Sequence, residues 1–474
     1  MLTRGLPRLH GPLNVACMAA LAAVGAALLA RVHDGAVLVT FLGGWRAPFG
    51  IPLVADALSV TMVLVTALVA GCVCLYALVD VPPRQALVYH AVTPVLVASA
   101  NGAFLTGDLF NLYVWFEVML MSSFVLMALG GEAPQVRGTV KYMATNLVSS
   151  TLFLAGVGLL YGLTGTLNMA ELAARVPALG QPALVSVVAV LFVVAFGTKA
   201  AVFPLFSWLP ASYPTPPVAT TALFAGLLTK VAVYALLRTF TLIFVHDVGF
   251  THGALLWIAG LTMVTGVLGA VAQDEVRRLL SFHIVSQIGY MVMGLALLSP
   301  LALLGAIFFT IHNILAKTNL FLIGGVMARL GGSFELKRLG GFYRAQPLLA
   351  GLFLVPALAL AGVPPLSGFW GKLLLARAGL EAAEYAIVAA SLAVGLLTLY
   401  SMMKIWSQAV LPAAADPARP PAGPVPRAQL AAIGVLAAST LALSALAWPV
   451  CVVLGRAAEG LLAPTAYIEA VLRA

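Results

Sequence analysis

The chain of 474 residues is 62% apolar and only 9% charged, with a mean hydropathy of +1.06. A soluble chain carries about a quarter of its residues as Asp, Glu, Lys or Arg, so these figures exclude a water-soluble globule and a soluble enzyme domain. The 25 basic against 16 acidic residues give a net charge of +9, and in so sparse a set that excess concerns membrane orientation rather than nucleic-acid binding.

A spanning helix takes about 20 residues, and a hydropathy window of about 19 predicts thirteen spans: 12–30, 53–79, 84–105, 107–130, 138–163, 183–209, 218–245, 252–272, 277–298, 300–328, 346–378, 383–410 and 428–455. Arg4 and Arg8 precede the first of them, which runs to Arg31 without a small-residue cleavage site and is read as a span, not a leader. Between the first two spans, Gly43-Gly44-Trp45-Arg46-Ala47-Pro48-Phe49-Gly50-Ile51 reads as an ordered interfacial loop. Asn101, Gly102 and Asp108 mark the hinge between the third and fourth. Residues 411–427 hold six prolines and form the flexible linker. A tail follows the last span, with Ile468, Val471 and Leu472 on one face of a helix expected to lie on the membrane. The four cysteines (Cys17, Cys72, Cys74, Cys451) sit in apolar runs without metal or redox spacing, so neither a metal nor a cofactor is expected.

Orientation follows from where Lys and Arg fall. Fourteen lie on the side of the N-terminus, among them Arg4, Arg8, Arg277, Arg278, Lys404 and Arg419. Seven lie on the other: Arg31, Arg46, Arg175, Arg238, Arg377, Arg456 and Arg473. The two-to-one bias puts the N-terminus in the cytoplasm. Four lysines belong to no loop: Lys199, Lys230, Lys317 and Lys372. Each costs at least about 2.5–3.5 kcal/mol at bilayer depth, so the four oppose insertion by roughly 10 kcal/mol. Glu117 is the only acid comparably deep.

Lys199 precedes Pro204, and Lys372 follows Pro364 and Pro365. Proline removes a backbone donor and blocks the helical bond one turn back, so both helices are expected to break near the lysine. Broken helices at bilayer depth need protein or a water-filled cavity for their freed carbonyls, and two of them in corresponding halves of a chain point to a transport site between inverted repeats. His312 lies five residues before Lys317, within reach of a bridging water. His283 falls near a cytoplasmic helix start, where it serves either as a relay or as a satisfied polar residue. Histidine changes charge between pH 5 and 8, and burial brings lysine toward the same range. One acid and a series of such bases are what a proton path needs.

With these motifs in view, the chain resembles, along almost its whole length, the antiporter-like membrane subunits shared by respiratory complex I and the Mrp-type multisubunit Na⁺/H⁺ antiporters, and most closely the D-type subunits of the latter. The resemblance is carried by 43–51, by Gly107-Asp-Leu-Phe-Asn-Leu-Tyr-Val-Trp-Phe-Glu117, by Lys199 through Pro204 to Pro217, by Asp274 to Gln287, by His312 to Gly324 and by Pro364 to Lys372. It implies an all-α polytopic fold with two inverted five-helix repeats, each with a Pro-broken helix. The expected organisation is N-terminal helices and interfacial loop (1–83), first repeat (84–250), second repeat (251–410), Pro-rich linker (411–427), and C-terminal helix with interfacial tail (428–474).

The resemblance also implies that Glu117 and Lys199 are the coupled pair of the first repeat, that Lys230 links them to a hydrophilic axis continued by His312 and Lys317, and that Lys372 is the terminal lysine of the second repeat. Partner subunits of a hetero-oligomeric complex, a prokaryotic cell (inner) membrane, and transport of H⁺ against Na⁺ or K⁺ are implied too. Family members of this kind usually have 14 spans, so the earliest one is expected to have no counterpart here. The alternative is a proton-pumping subunit of an NADH–quinone oxidoreductase or energy-converting hydrogenase. A membrane-embedded enzyme finds no support, since metalloprotease, serine-hydrolase and Walker signatures are missing from the sequence.

Overall fold

The computed structural model describes residues 7–413 and 423–473, so Arg4, Arg419 and most of the Pro-rich linker lie outside the described residues. An apolar helix α1 (Pro7–Val32) leads into two antiparallel strands, β1 (Leu38–Phe41) and β2 (Pro52–Ala55), in which Leu38 pairs with Ala55 and Phe41 with Pro52. The 43–51 loop joins these strands and exposes Trp45 and Phe49, rings suited to a membrane–water boundary. This hairpin is the departure from an all-helical chain among the described residues.

Asp56 then opens α2 (Ala57–Asp80) with a capping box: its carboxylate accepts the Ser59 N–H at 2.8 Å, and the Ser59 hydroxyl accepts the Asp56 N–H at 2.9 Å. Next come α3 (Pro83–Leu105) and α4 (Leu109–Ala128), divided at the expected hinge, where Asp108 caps α4 by accepting the Asn111 N–H at 2.7 Å. The long α5 (Ala133–Thr164) and short α6 (Met169–Arg175) precede α7 (Pro182–Ala200), a five-residue α8 (Trp208–Ser212) and α9 (Val218–Leu242). Three more long helices follow, α10 (Val248–Val271), α11 (Val276–Leu297) and α12 (Pro300–Gly331). The remainder is α13 (Phe342–Ala345), α14 (Pro347–Ala361), α15 (Ser367–Glu381), α16 (Tyr385–Ile405), α17 (Arg427–Ala445), α18 (Ala447–Leu462) and α19 (Thr465–Arg473).

Twelve of the described helices are long and apolar enough to cross a membrane. They coincide one for one with predicted spans, and the thirteenth, 346–378, is the broken pair α14 and α15. The predicted last span, 428–455, is corrected: it divides at Leu446 into α17 and α18. Pro449 in the first turn of α18 supplies no N–H to the turn before it, and a hydropathy window does not register that loss. The tail forms the expected helix. A 73° bend at 463–464 turns α18 into α19, which packs on α6 and β1 and buries Tyr467 and Val471 there, leaving Leu472 exposed.

The helices carrying the polar residues are the most enclosed. α9, α11 and α12 are surrounded almost entirely by protein, while α1 is peripheral and packs chiefly on α2. At the short connection between α10 and α11, the Lys404 ammonium, from the last turn of α16, binds the Val271 and Gln273 carbonyls and, at 2.7 Å, the Asp274 carboxylate. That hydrogen bond and charge hold the Asp274 carboxyl below its ordinary range and tie the end of α10 to α16.

Candidate functional site

In the first half of the chain α7 stops one residue after Lys199. Ala201 takes left-handed backbone (φ 64°), and the chain passes through Pro204, after a cis peptide, before α8 begins. The groups this break frees find partners. The Trp208 indole N–H donates to the Thr198 carbonyl at 2.9 Å, and the Phe203 N–H donates to the Thr262 hydroxyl at 2.9 Å. Lys199 is buried, its Nζ donating to Ser150 Oγ on α5 at 2.8 Å and lying 5.3 Å from the centre of the Phe116 ring. Glu117, on the next residue of α4, is close enough for its charge to act on Lys199. Among the described residues it makes no ion pair, and its Oε1 is buried without a hydrogen-bond partner.

The second half repeats the device with the lysine on the far side of the break. α14 ends at Ala361, Gly362 reverses the chain at φ 90°, the Pro364–Pro365 peptide is cis, and α15 starts at Ser367. Lys372 reaches back across the gap to donate to the Leu360 and Ala361 carbonyls at 3.1 and 2.9 Å, and lies 5.1 Å from the centre of the Tyr290 ring. A cation is favoured at this end of a helix, where unpaired carbonyls concentrate negative charge.

Between the two breaks lie the enclosed helices and the remaining bases. Lys230 on α9 is fully buried and donates to the Ala225 carbonyl of its own helix at 2.6 Å. Lys317 on α12 is fully buried, and its Nζ has no hydrogen-bond partner. His312, on the same helix, places Nδ1 2.8 Å from Ser367 Oγ and thereby joins α12 to the second broken helix, while its Nε2 is unpartnered. His283 lies in the first half of its helix, as the sequence suggested. It is wholly buried two turns inside α11, with Nε2 2.7 Å from Ser401 Oγ on α16.

Around these bases the side-chain amides of Gln287, Asn313 and Asn319 are buried with no protein partner on either amide atom. Buried polar atoms are hydrogen-bonded in about nine cases of ten, and atoms left over by the protein are those that internal water serves. The arrangement is therefore a polar axis at bilayer depth, able to pass protons between bases through hydroxyls, amides and water. Among the described residues no group of three His, Cys, Asp or Glu side chains could hold a metal ion, and none of the cysteines is bonded to another.

Sequence reasoning overlooked the serines. Ser150, Ser367 and Ser401 each hold one of the bases, but a serine in an apolar helix carries no pattern that says what it faces. It also misplaced Arg238, assigned to a loop. Arg238 is buried in the last turns of α9 and paired with the carboxylate of Asp56. The spacing of four between Lys230, Tyr234 and Arg238, which keeps all three on one stripe of a helix, was the available signal.

A broken helix in each half and a set of buried bases between them define a polytopic membrane protein with a polar interior. Comparison with known proteins agrees. The family described as "NADH:quinone oxidoreductase/Mrp antiporter, TM" matches residues 106–398, and the chain belongs to that family. It is 47% identical to the D-type subunit of the Na⁺/H⁺ antiporter of Alkalihalophilus pseudofirmus, over 94% of this chain and 90% of the relative, and 42% identical to that of Bacillus subtilis with the same coverage. Among solved structures it superposes on a chain of the Mrp complex from Dietzia sp. DQ12-45-1b with a TM-score of 0.92 at 35% identity, covering 98% of this chain and 95% of that one. A chain of the membrane-bound sulfane sulfur reductase, an archaeal respiratory membrane complex, follows at 0.90 and 25% identity, with 98% and 94% covered.

Proposed function

We propose that this chain is the proton-translocating subunit of a multisubunit monovalent cation/proton antiporter, moving H⁺ inward against Na⁺ or K⁺. It would work with other subunits in a prokaryotic cell membrane, its N-terminus cytoplasmic, as the loop charges favour. The observation that carries the reading is the set of fully buried bases on α9, α11 and α12, flanked by Lys199 and Lys372 at the two helix breaks. Such a set opposes insertion, and a passive scaffold has no use for it. The antiporter rather than the redox-driven branch is favoured because the two relatives named above bear the antiporter name at 47% and 42% identity, against 25% for the respiratory reductase.

The mechanism is electrostatic. While Glu117 is ionised it attracts the charged Lys199 ammonium. Protonation, an arriving cation or a displacement of α4 weakens that attraction, and the proton passes through Ser150 and water toward Lys230. From there His312 and Lys317 carry it to Lys372, whose ammonium is held by the carbonyls of α14. The division into a first repeat (84–250) and a second (251–410) is the natural frame for these steps, each repeat holding one break and one end of the axis. The test is antiport in everted vesicles carrying the assembled complex, with Glu117→Ala and Lys199→Ala. Loss of a positioned proton-transfer group is expected to lower the rate about a hundred-fold or more. Near-parental antiport by both variants in a fully assembled complex would refute the mechanism.

A further inference from the structure

Each of the two lysines at the helix breaks stands over an aromatic ring from the second helix of its proposed repeat. Lys199 lies over Phe116 on α4, with Glu117 the next residue along. Lys372 lies over Tyr290 on α11, 5.1 Å from the ring centre, with Met291 the next residue along. The first lysine therefore has a carboxylate whose charge acts on it, whereas among the described residues Lys372 is paired with no Asp or Glu. The helix that carries it, α15, packs on α11, α12, α14, α16 and α17. Besides Tyr290, the titratable groups whose charges reach Lys372 are His283 on α11 and His312 and Lys317 on α12, all of them bases. α14 has no titratable residue, and that of α17 is Arg427, its first residue. What Glu117 does for Lys199 falls to a neutral group at Lys372.

Two glycines border the ammonium. A Cβ on Gly362 would stand 2.9 Å from Lys372 Cδ and 3.5 Å from Nζ, so the lysine lies against bare backbone there. A Cβ on Gly395 of α16 would stand 3.8 Å from Lys372 Nζ and 3.9 Å from Tyr290 Oη, so both polar atoms border the same point. Two of the three ammonium hydrogens are engaged by the Leu360 and Ala361 carbonyls. The Tyr290 hydroxyl donates to the Ser391 carbonyl, one turn before Gly395, which leaves its oxygen able to accept. One unused donor and one unused acceptor thus lie beside a residue that has no side chain.

We propose that Tyr290 is the positioning residue of Lys372, taking with a neutral hydroxyl the place that Glu117 has in the first repeat, and that Gly395 keeps open the space in which the two connect. This inference rests on the transport reading above. The third N–H of the Lys372 ammonium turns to Tyr290 Oη, directly or through one water, while the other two stay on the carbonyls of α14. That N–H bond is the one that breaks: its proton goes to water beside Gly395, and the amine becomes neutral. Tyr290 keeps its own proton on the Ser391 carbonyl, and no other bond changes. A hydroxyl oxygen has no net charge, so it orients the ammonium without the Coulomb attraction of an anion. The last base of the axis can then release its proton.

The test measures antiport per assembled complex across a range of pH for Tyr290→Phe, Gly395→Ala and the double variant. Tyr290→Phe keeps the ring over the lysine and removes the oxygen. It is expected to lose at least about ten-fold in rate, as for a hydrogen bond to a charged group, with the alkaline limb of the profile moved to lower pH because the ammonium has lost an acceptor. Gly395→Ala puts a methyl group at ordinary van der Waals distance from both polar atoms, so the complex is expected to assemble and to lose rate in the same direction. The double variant is expected to lose no more than the worse single one, since both remove the same connection. A parental rate and profile in Tyr290→Phe overturns the proposal, and so do losses that simply add. If Tyr290→Phe fails to assemble, Gly395→Ala decides alone. Lys372→Ala measured alongside separates the two readings: if it abolishes antiport while Tyr290→Phe and Gly395→Ala behave as the parent, only the positioning role is wrong; if it transports normally, Lys372 is off the path and the transport reading itself falls.

Discussion

Three of the buried bases share one kind of partner, a serine hydroxyl: Lys199 with Ser150, His312 with Ser367 and His283 with Ser401. A hydroxyl donates as well as accepts, so it serves an ammonium or imidazolium by accepting and the neutral base by donating. The hydrogen bond survives when the proton leaves, and neither protonation state is locked in. A carboxylate in the same place would fix the charge. Ser150→Ala leaves the buried ammonium of Lys199 without this acceptor, a loss of about 1.5–3 kcal/mol for a hydrogen bond to a charged group. Antiport per assembled complex is expected to fall at least about ten-fold, with Ser150→Thr close to the parent. A fall that merely follows the amount of complex in the membrane would take the hydroxyl out of the path. At this scale the sequence disclosed the costly residues, because a lysine in an apolar run stands out on its own. Their partners are ordinary helix residues and became visible only once α5, α15 and α16 were placed beside them.

At the scale of elements, the two helix breaks were legible because proline states its effect locally: Pro204, Pro364 and Pro365 cannot continue the turn before them. Pro449 obeys the same rule and divides α17 from α18, yet it lay inside a run apolar enough to read as one span. The hairpin was hidden for a related reason. Pro52–Ala55 is apolar and adjoins α2, so hydropathy merged the strand with the helix. The second break depends on a close approach that no local rule reveals. A Cβ on Gly368 would stand 1.9 Å from the Ala359 carbonyl oxygen and 2.8 Å from His312 Nε2, so α14, α15 and α12 can meet only through a glycine. Gly368→Ala is expected to reduce the assembled complex severely, whereas Gly434→Ala, where an added methyl meets nothing within 4 Å, should leave it unchanged. Quantifying the membrane-bound complex for the two variants checks this, and equal yields would show that the close approach is not needed.

For the molecule as a whole, polarity and burial run together. The most enclosed helices, α9, α11 and α12, are those that carry the buried lysines, histidines and amides of the centre, because lipid rather than water is the medium to be avoided by polar groups. The polar residues themselves were readable from the sequence; which helices touch was not, since hydropathy carries no information on neighbours. The enclosure of α12 has a consequence for biogenesis. With Lys317, His312, Asn313 and Asn319 on one helix, α12 is a poor candidate to enter lipid alone, a single central lysine already opposing it by about 2.5–3.5 kcal/mol. It should leave the translocon only in company with α9 and α11, which are made just before it. Chains truncated after residue 331 are therefore expected to insert α12 when α9 and α11 are present and to fail when these are replaced by plain leucine helices, as glycosylation-site mapping of the α12 flanks would report.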